Sequence, residues 1–222
     1  MSRQETRSAE IAILIGGGII AGPLFVAVAL LQAFSREGFD WSRHPLSMLS
    51  LGDFGWVQIA NFVITGLLFI VGAVGISRAR ISGRGRRWVP RLLTLLGIAL
   101  IAGGAFTPDP ALGFPPGSIA GLPATMSWHA SIHAVAPMVG LLGLVGVLAV
   151  LARRSADRGE WSWVWLTAAA TVAMIVLSMW PNFTADWQRV EVNFVPMWVG
   201  VALAYIYVAI VLTKLRGEIS SV

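Results

Sequence analysis

Six long apolar runs dominate the sequence, at residues 11–34, 56–76, 89–106, 128–151, 161–180 and 192–212. A bilayer core of about 30 Å is crossed by about 20 residues of α-helix. Inside lipid every backbone polar group must be satisfied within the protein, which leaves only helices or a closed barrel. Runs of this length, without the polar alternation of barrel strands, predict an all-α integral membrane bundle of six helices within one transmembrane domain, residues 1–222. Composition agrees: 56% of residues are hydrophobic and 12% charged, against about 25% charged in soluble chains. The mean hydropathy is +0.76. The first run is too long for the apolar core of a signal peptide, and Glu5 and Glu10 precede it, so it is read as a span.

Charge sets the expected orientation. Arg3, Arg7, Arg78, Arg80, Arg84, Arg86, Arg87, Arg91, Arg153, Arg154, Arg158, Lys214 and Arg216 fall at one end of the six spans, and Arg36, Arg43 and Arg189 at the other, thirteen against three. The positive-inside rule puts the thirteen, and with them both termini, in the cytoplasm. Trp41, Trp56, Trp128, Trp180 and Trp187 then mark the outer boundary, and Trp88, Trp161, Trp163 and Trp165 the inner one, as amphipathic rings do at headgroups. Trp198 reads as a packing residue. Arginine among the spans serves topology and headgroups, so the high pI does not point to nucleic acid. Fifteen of the sixteen basic residues are Arg, which with the many Ala and Gly suggests a GC-rich prokaryotic source and hence a plasma-membrane protein. With no Cys, thiolate chemistry and disulfides are excluded. Gly18 and Gly22, Gly72 and Gly75, and Gly140, Gly143 and Gly146 recur at spacings that let helices approach closely.

All three histidines belong to the outer end. His44 lies in the first outer loop; His129 and His133 begin the fourth span one helical turn apart, on one face. Asp109 ends the third span at a comparable depth. Two imidazoles and a carboxylate suit zinc or another divalent metal, and three ligands plus water can activate that water. Alternatively the same groups form a structural hydrogen-bond cluster. Haem is disfavoured, because two histidines on one helix face cannot be trans axial ligands of a single haem. Gln58, Asn61 and Thr65, at i, i+3 and i+7, draw a polar stripe down the second span. Amides facing lipid are costly, so the stripe faces the bundle, either joining helices or walling a cavity, with Ser47 and Ser50 just before it. Asp53 and Asp186 are candidate bases.

The run His44-Pro45-Leu46-Ser47-Met48-Leu49-Ser50-Leu51-Gly52-Asp53-Phe54-Gly55-Trp56-Val57-Gln58, continuing through Asn61-Phe62 and Thr65-Gly66, resembles the domain-of-unknown-function 998 family of prokaryotic membrane proteins. Pro108-Asp109-Pro110 followed by His129-x-x-x-His133 is similar to that family's later pattern. The resemblance implies a bundle of about six spans and carries no biochemical function with it. A looser likeness, in residue types alone, joins Ser47, Asp109, His129 and His133 to the alkaline-ceramidase and adiponectin-receptor zinc hydrolases; motif order and span count depart from theirs.

The expected function is therefore a site at the outer leaflet that binds a lipid or other small amphipathic ligand, lined by His44, Ser47, Gln58, Asn61 and Thr65. The alternative is a zinc-dependent hydrolase of a lipid or isoprenoid, with metal on His129, His133 and Asp109. A transporter fits less well, since no inverted repeat is visible. Expected partners are membrane lipids.

Overall fold

A computed structural model describes residues 3–79, 81, 83, 85–187 and 189–220. Arg80 and Arg84 of the basic loop lie outside them. Six helices are long and apolar enough to cross a membrane: α1 (Arg3–Ser35), α2 (Gly55–Ala79), α3 (Trp88–Ala105), α4 (Trp128–Asp157), α5 (Trp161–Thr184) and α6 (Val195–Ser220). No strand occurs among the described residues, only two isolated bridges, Ala111 with Phe114 and Asp186 with Glu191.

Every expected span coincides with a helix, but several helices run on past their apolar core. α1 begins at Arg3 rather than near residue 11, and α4 and α6 continue to Asp157 and Ser220. Apolar counting stops at the edge of the lipid, whereas backbone hydrogen bonding does not. The polar extensions are held by ion pairs: Glu10 binds Arg78, and Glu218 of α6 takes Arg154 at 3.0 Å and Arg158 at 2.7 Å. Lys214 bridges Glu218 at 2.9 Å and Glu160 at 2.5 Å, tying α4, α5 and α6 together at the basic end.

The helices pack as sequence neighbours, and α6 closes the ring by packing on both α1 and α5. Close approach needs glycine at a few seams. A Cβ on Gly18 would lie 3.1 Å from the Cα of Gly72, and one on Gly22 would lie 2.2 Å from the Tyr205 carbonyl oxygen. The tightest α2–α3 contact is one the spacing argument passed over: a Cβ on Gly66 or on Gly97 would stand 2.5 Å from the other's carbonyl oxygen. α5 is the exception to this packing. Its buried residues are Thr167, Met174 and Pro181, so it lies on the bundle's flank with most of its surface outward. Trp56, Trp128, Trp88, Trp161 and Trp165 are exposed near helix ends, while Trp198 is in the core, as the sequence suggested.

Candidate functional site: a capped cavity inside the bundle

The two long loops at the histidine-bearing end fold together into a cap. Arg36, just past α1, donates to the carbonyls of Leu49 (3.2 Å) and Leu51 (2.5 Å) and lies over the rings of Phe54 and Phe114. Burial lowers its pKa, partly offset by nearby Asp53. Arg43 reaches the second loop, donating to the carbonyls of Leu112 and Ala120, both at 3.1 Å.

His44 is the knot of this cap. Its Nδ1 accepts the Asp40 N–H at 2.9 Å, which requires a bare Nδ1 and leaves the proton on Nε2, donating to the Leu112 carbonyl at 3.1 Å. Its own carbonyl accepts the Trp198 indole N–H at 3.1 Å, and Phe39 and Phe114 flank the ring. Burial is the main cause that lowers the His44 pKa, so the neutral ring is favoured. With both ring nitrogens engaged, His44 joins chain segments and has no lone pair left for a metal or ligand.

Beneath the cap lies a cavity of about 270 Å³ to which all six helices contribute. Pro45, Leu46 and Ser47 roof it, where the short 3₁₀ turn Leu46–Ser50 crosses the bundle. Its walls are mostly apolar: Phe25, Phe62, Leu96, Leu100, Ala136, Leu144, Val201 and Ala204, with Met138, Met179 and Met197 on the side toward α5. Methionine adapts readily to differently shaped neighbours. Among the described residues, His133, Ser47, Ser178, Asn182 and Tyr205 are the polar side chains on the lining, and no charged residue joins them.

His133 begins about 7.5 Å into α4, from a rise of 1.5 Å per residue, and is buried. Its Nδ1 faces two backbone carbonyls at the end of α3, Phe106 at 2.7 Å and Gly103 at 3.0 Å. Carbonyls only accept, so the proton sits on Nδ1, and Nε2 keeps a free lone pair. His129, one turn earlier, is exposed and packs against Trp128, with ring centroids 3.6 Å apart and the planes tilted by 46°. Asp109 accepts the Ser127 N–H at 2.7 Å at the start of α4, and the two Ser127 hydrogen bonds lower its pKa. These three expected metal ligands therefore serve three different local purposes. Among the described residues no three His, Asp or Glu side chains are grouped so as to hold one metal; the shared helix face does not bring the His129 and His133 nitrogens to a common point.

The polar stripe on α2 is buried against α1 and is absent from the cavity lining. Gln58 Oε1 accepts from Gln32 Nε2 at 2.7 Å and from Asn61 Nδ2 at 3.2 Å. Asn61 Nδ2 also donates to the Phe25 carbonyl at 3.1 Å, and Gln32 Nε2 to that of Val28 at 3.3 Å. The stripe thus cross-links two helices behind Phe25 and Phe62, with Gln58 Nε2, Asn61 Oδ1, Gln32 Oε1 and Thr65 Oγ1 left without a described partner. Asp53 is exposed, and Asp186 lies 3.7 Å from Arg189 and bridges to Glu191; neither lines the cavity. Of the expected ligand-binding residues Ser47 alone does, joined there by His133.

Two residues escaped the sequence reading. Tyr205 could have been found as a tyrosine in mid-span, away from either aromatic boundary. Gln32 could have been found as an amide inside the first apolar run, whose only partners for a polar side chain are in the bundle.

An all-helical polytopic membrane protein with a half-open cavity beneath a loop cap is the class that this fold and site define. The chain belongs to the family described as "Protein of unknown function (DUF998)", whose pattern it matches over residues 19–214. No curated protein and no solved structure matches it.

Proposed function

We propose that this protein is a membrane-embedded binding protein whose bundle cavity holds one small, mainly apolar molecule. The observation that carries this reading is the cavity itself, with apolar walls and a few polar groups among them. Apolar pockets with sparse, placed polar groups are the usual form of small-molecule sites, at about 300–1,000 Å³; this one, at about 270 Å³, falls just below that range, which suits a short chain better than a full diacyl lipid. The weakly packed α5 and the methionines beside it suggest entry sideways from the bilayer.

By the charge bias of its loops, the basic end and both termini face the cytoplasm and the capped end faces outward, in a prokaryotic plasma membrane. The ligand is then met in the outer leaflet. A hydrolase of the zinc type draws no support from the separated His129, His133 and Asp109.

The experiment is identification by mass spectrometry of molecules released from protein purified into nanodiscs, with Ala136→Phe and Ala204→Phe as fillers of the cavity. One apolar species enriched over bulk lipid in the wild type and lost in both variants is expected. Equal recovery from wild type and fillers, with all three proteins folded, sinks the proposal.

A further inference from the structure

The cavity's polar groups specify more than apolarity. His133 is 8% exposed and Tyr205 9%, and both line the cavity. Holding the His133 Nδ1–H on the Gly103 and Phe106 carbonyls turns the ring into a pure acceptor at Nε2, which has no described protein partner. The Tyr205 hydroxyl likewise has no described protein partner; its ring packs on Phe25, centroids 4.8 Å apart. Both belong to residues that face the same space, which leaves these polar groups open to whatever occupies it. Equally informative is what the lining lacks. Among the described residues the lining has no Lys or Arg, so a carboxylate or phosphate would go without compensation there, and it has no Asp or Glu to take an ammonium. His133 Nε2 itself discriminates further, since a bare ring nitrogen accepts from an O–H and repels a carbonyl or ether oxygen placed at that point.

We infer that the cavity takes a neutral single-chain amphipath headed by a hydroxyl group, whose O–H donates to His133 Nε2 while the chain runs down the apolar wall toward Leu144. This deepens the proposed binding function and rests on it. His133 is then the residue that selects the head, and Tyr205 supplies a second polar contact.

The test separates the two readings. Protein in nanodiscs is labelled with a long-chain alcohol carrying a diazirine on its chain, and labelled peptides are mapped. Labelling is then competed with four molecules of equal chain length: the alcohol, its methyl ether, the carboxylate and the alkane. Labelling of the α4, α5 or α6 segments around Met138, Met179 and Met197 is expected, lost in Ala136→Phe. The alcohol should compete about three- to tenfold better than the methyl ether, the range of one hydrogen bond, and better still than the carboxylate. In His133→Asn the amide N–H can still serve the two carbonyls while Nε2 is gone, so the alcohol's advantage over the ether should vanish with the fold intact. Alcohol, ether and alkane competing equally in the wild type, or an unchanged preference in His133→Asn, overturns the hydroxyl inference and leaves the binding reading standing. No cavity labelling at all overturns both.

Discussion

Trp198 donates its indole N–H to the carbonyl oxygen of His44 at 3.1 Å, joining residues 154 positions apart. That contact fastens the loop between α1 and α2 to α6, while the His44 ring fastens it to the Leu112 carbonyl of the loop between α3 and α4. Three chain segments thus meet at one residue, the two loops through its neutral imidazole and α6 through its main-chain carbonyl, directly beside the turn that roofs the cavity.

His44→Ala should therefore loosen the cap as a unit. It removes two hydrogen bonds and the packing of Phe39 and Phe114, a loss of about 2–4 kcal/mol. Trp198→Phe removes one hydrogen bond and keeps most of the ring, so it should cost about 1–2 kcal/mol. Reversible unfolding in mixed detergent micelles measures both; a larger loss for Trp198→Phe than for His44→Ala would contradict the knot.

The same ring sets a pH dependence. Burial holds the His44 pKa below its ordinary value, so the unfolded chain takes up the proton first. Its contribution is fully present above about pH 6.5, the unfolded value, and is lost as pH falls toward the lowered folded value. Thermal unfolding in nanodiscs should show a plateau above about pH 7 and a decline below about 6.5, reduced in His44→Gln. A wild-type profile flat down to pH 5 contradicts this.

The α2–α3 seam should be far less forgiving than α3–α4 at Gly140. Gly97→Ala drives a methyl to 2.5 Å from the Gly66 carbonyl oxygen, where backbone must move, whereas a Cβ on Gly140 meets Ala99 and Leu96 at 3.5 Å, an ordinary contact. Overpacking costs about 1–3 kcal/mol, so Gly97→Ala should destabilise by that amount and Gly140→Ala by little. The two are compared by the same detergent unfolding, and equal effects would argue against this packing.

Gln58→Met tests whether the buried amides act as a self-contained cross-link. Gln32 and Asn61 each keep a backbone carbonyl, Val28 and Phe25, so losing the shared acceptor should cost only about 1 kcal/mol. A loss of several kcal/mol would show that Gln58 Nε2 holds something essential, such as a buried water.

Much of the architecture was legible in the sequence, because lipid imposes one rule on every span: about 20 apolar residues in a helix. Helix ends such as Arg3 and Ser220 were not, since polar turns continue by hydrogen bonding and ion pairing beyond the apolar stretch. For the cavity, the sequence singled out two residues that line it, Ser47 and His133. It could not tell His44 from His133, because the difference lies in partners 68 and 27–30 residues away. Nor could helical spacing show that His129 turns to Trp128 while His133 turns to α3. The α2 stripe faces the bundle, as the cost of amides in lipid requires, but what decides between cross-link and cavity wall is Gln32 on α1, a partner 26 residues away.

The central claim is that a small molecule occupies the space beneath Ser47. An experimental density map of the protein in lipid nanodiscs tests it most directly. Elongated density from beside His133 Nε2 toward Leu144, absent in Ala136→Phe, is the predicted result. A cavity that is empty, or filled only by rearranged side chains, in a map that resolves the surrounding methionines would contradict it.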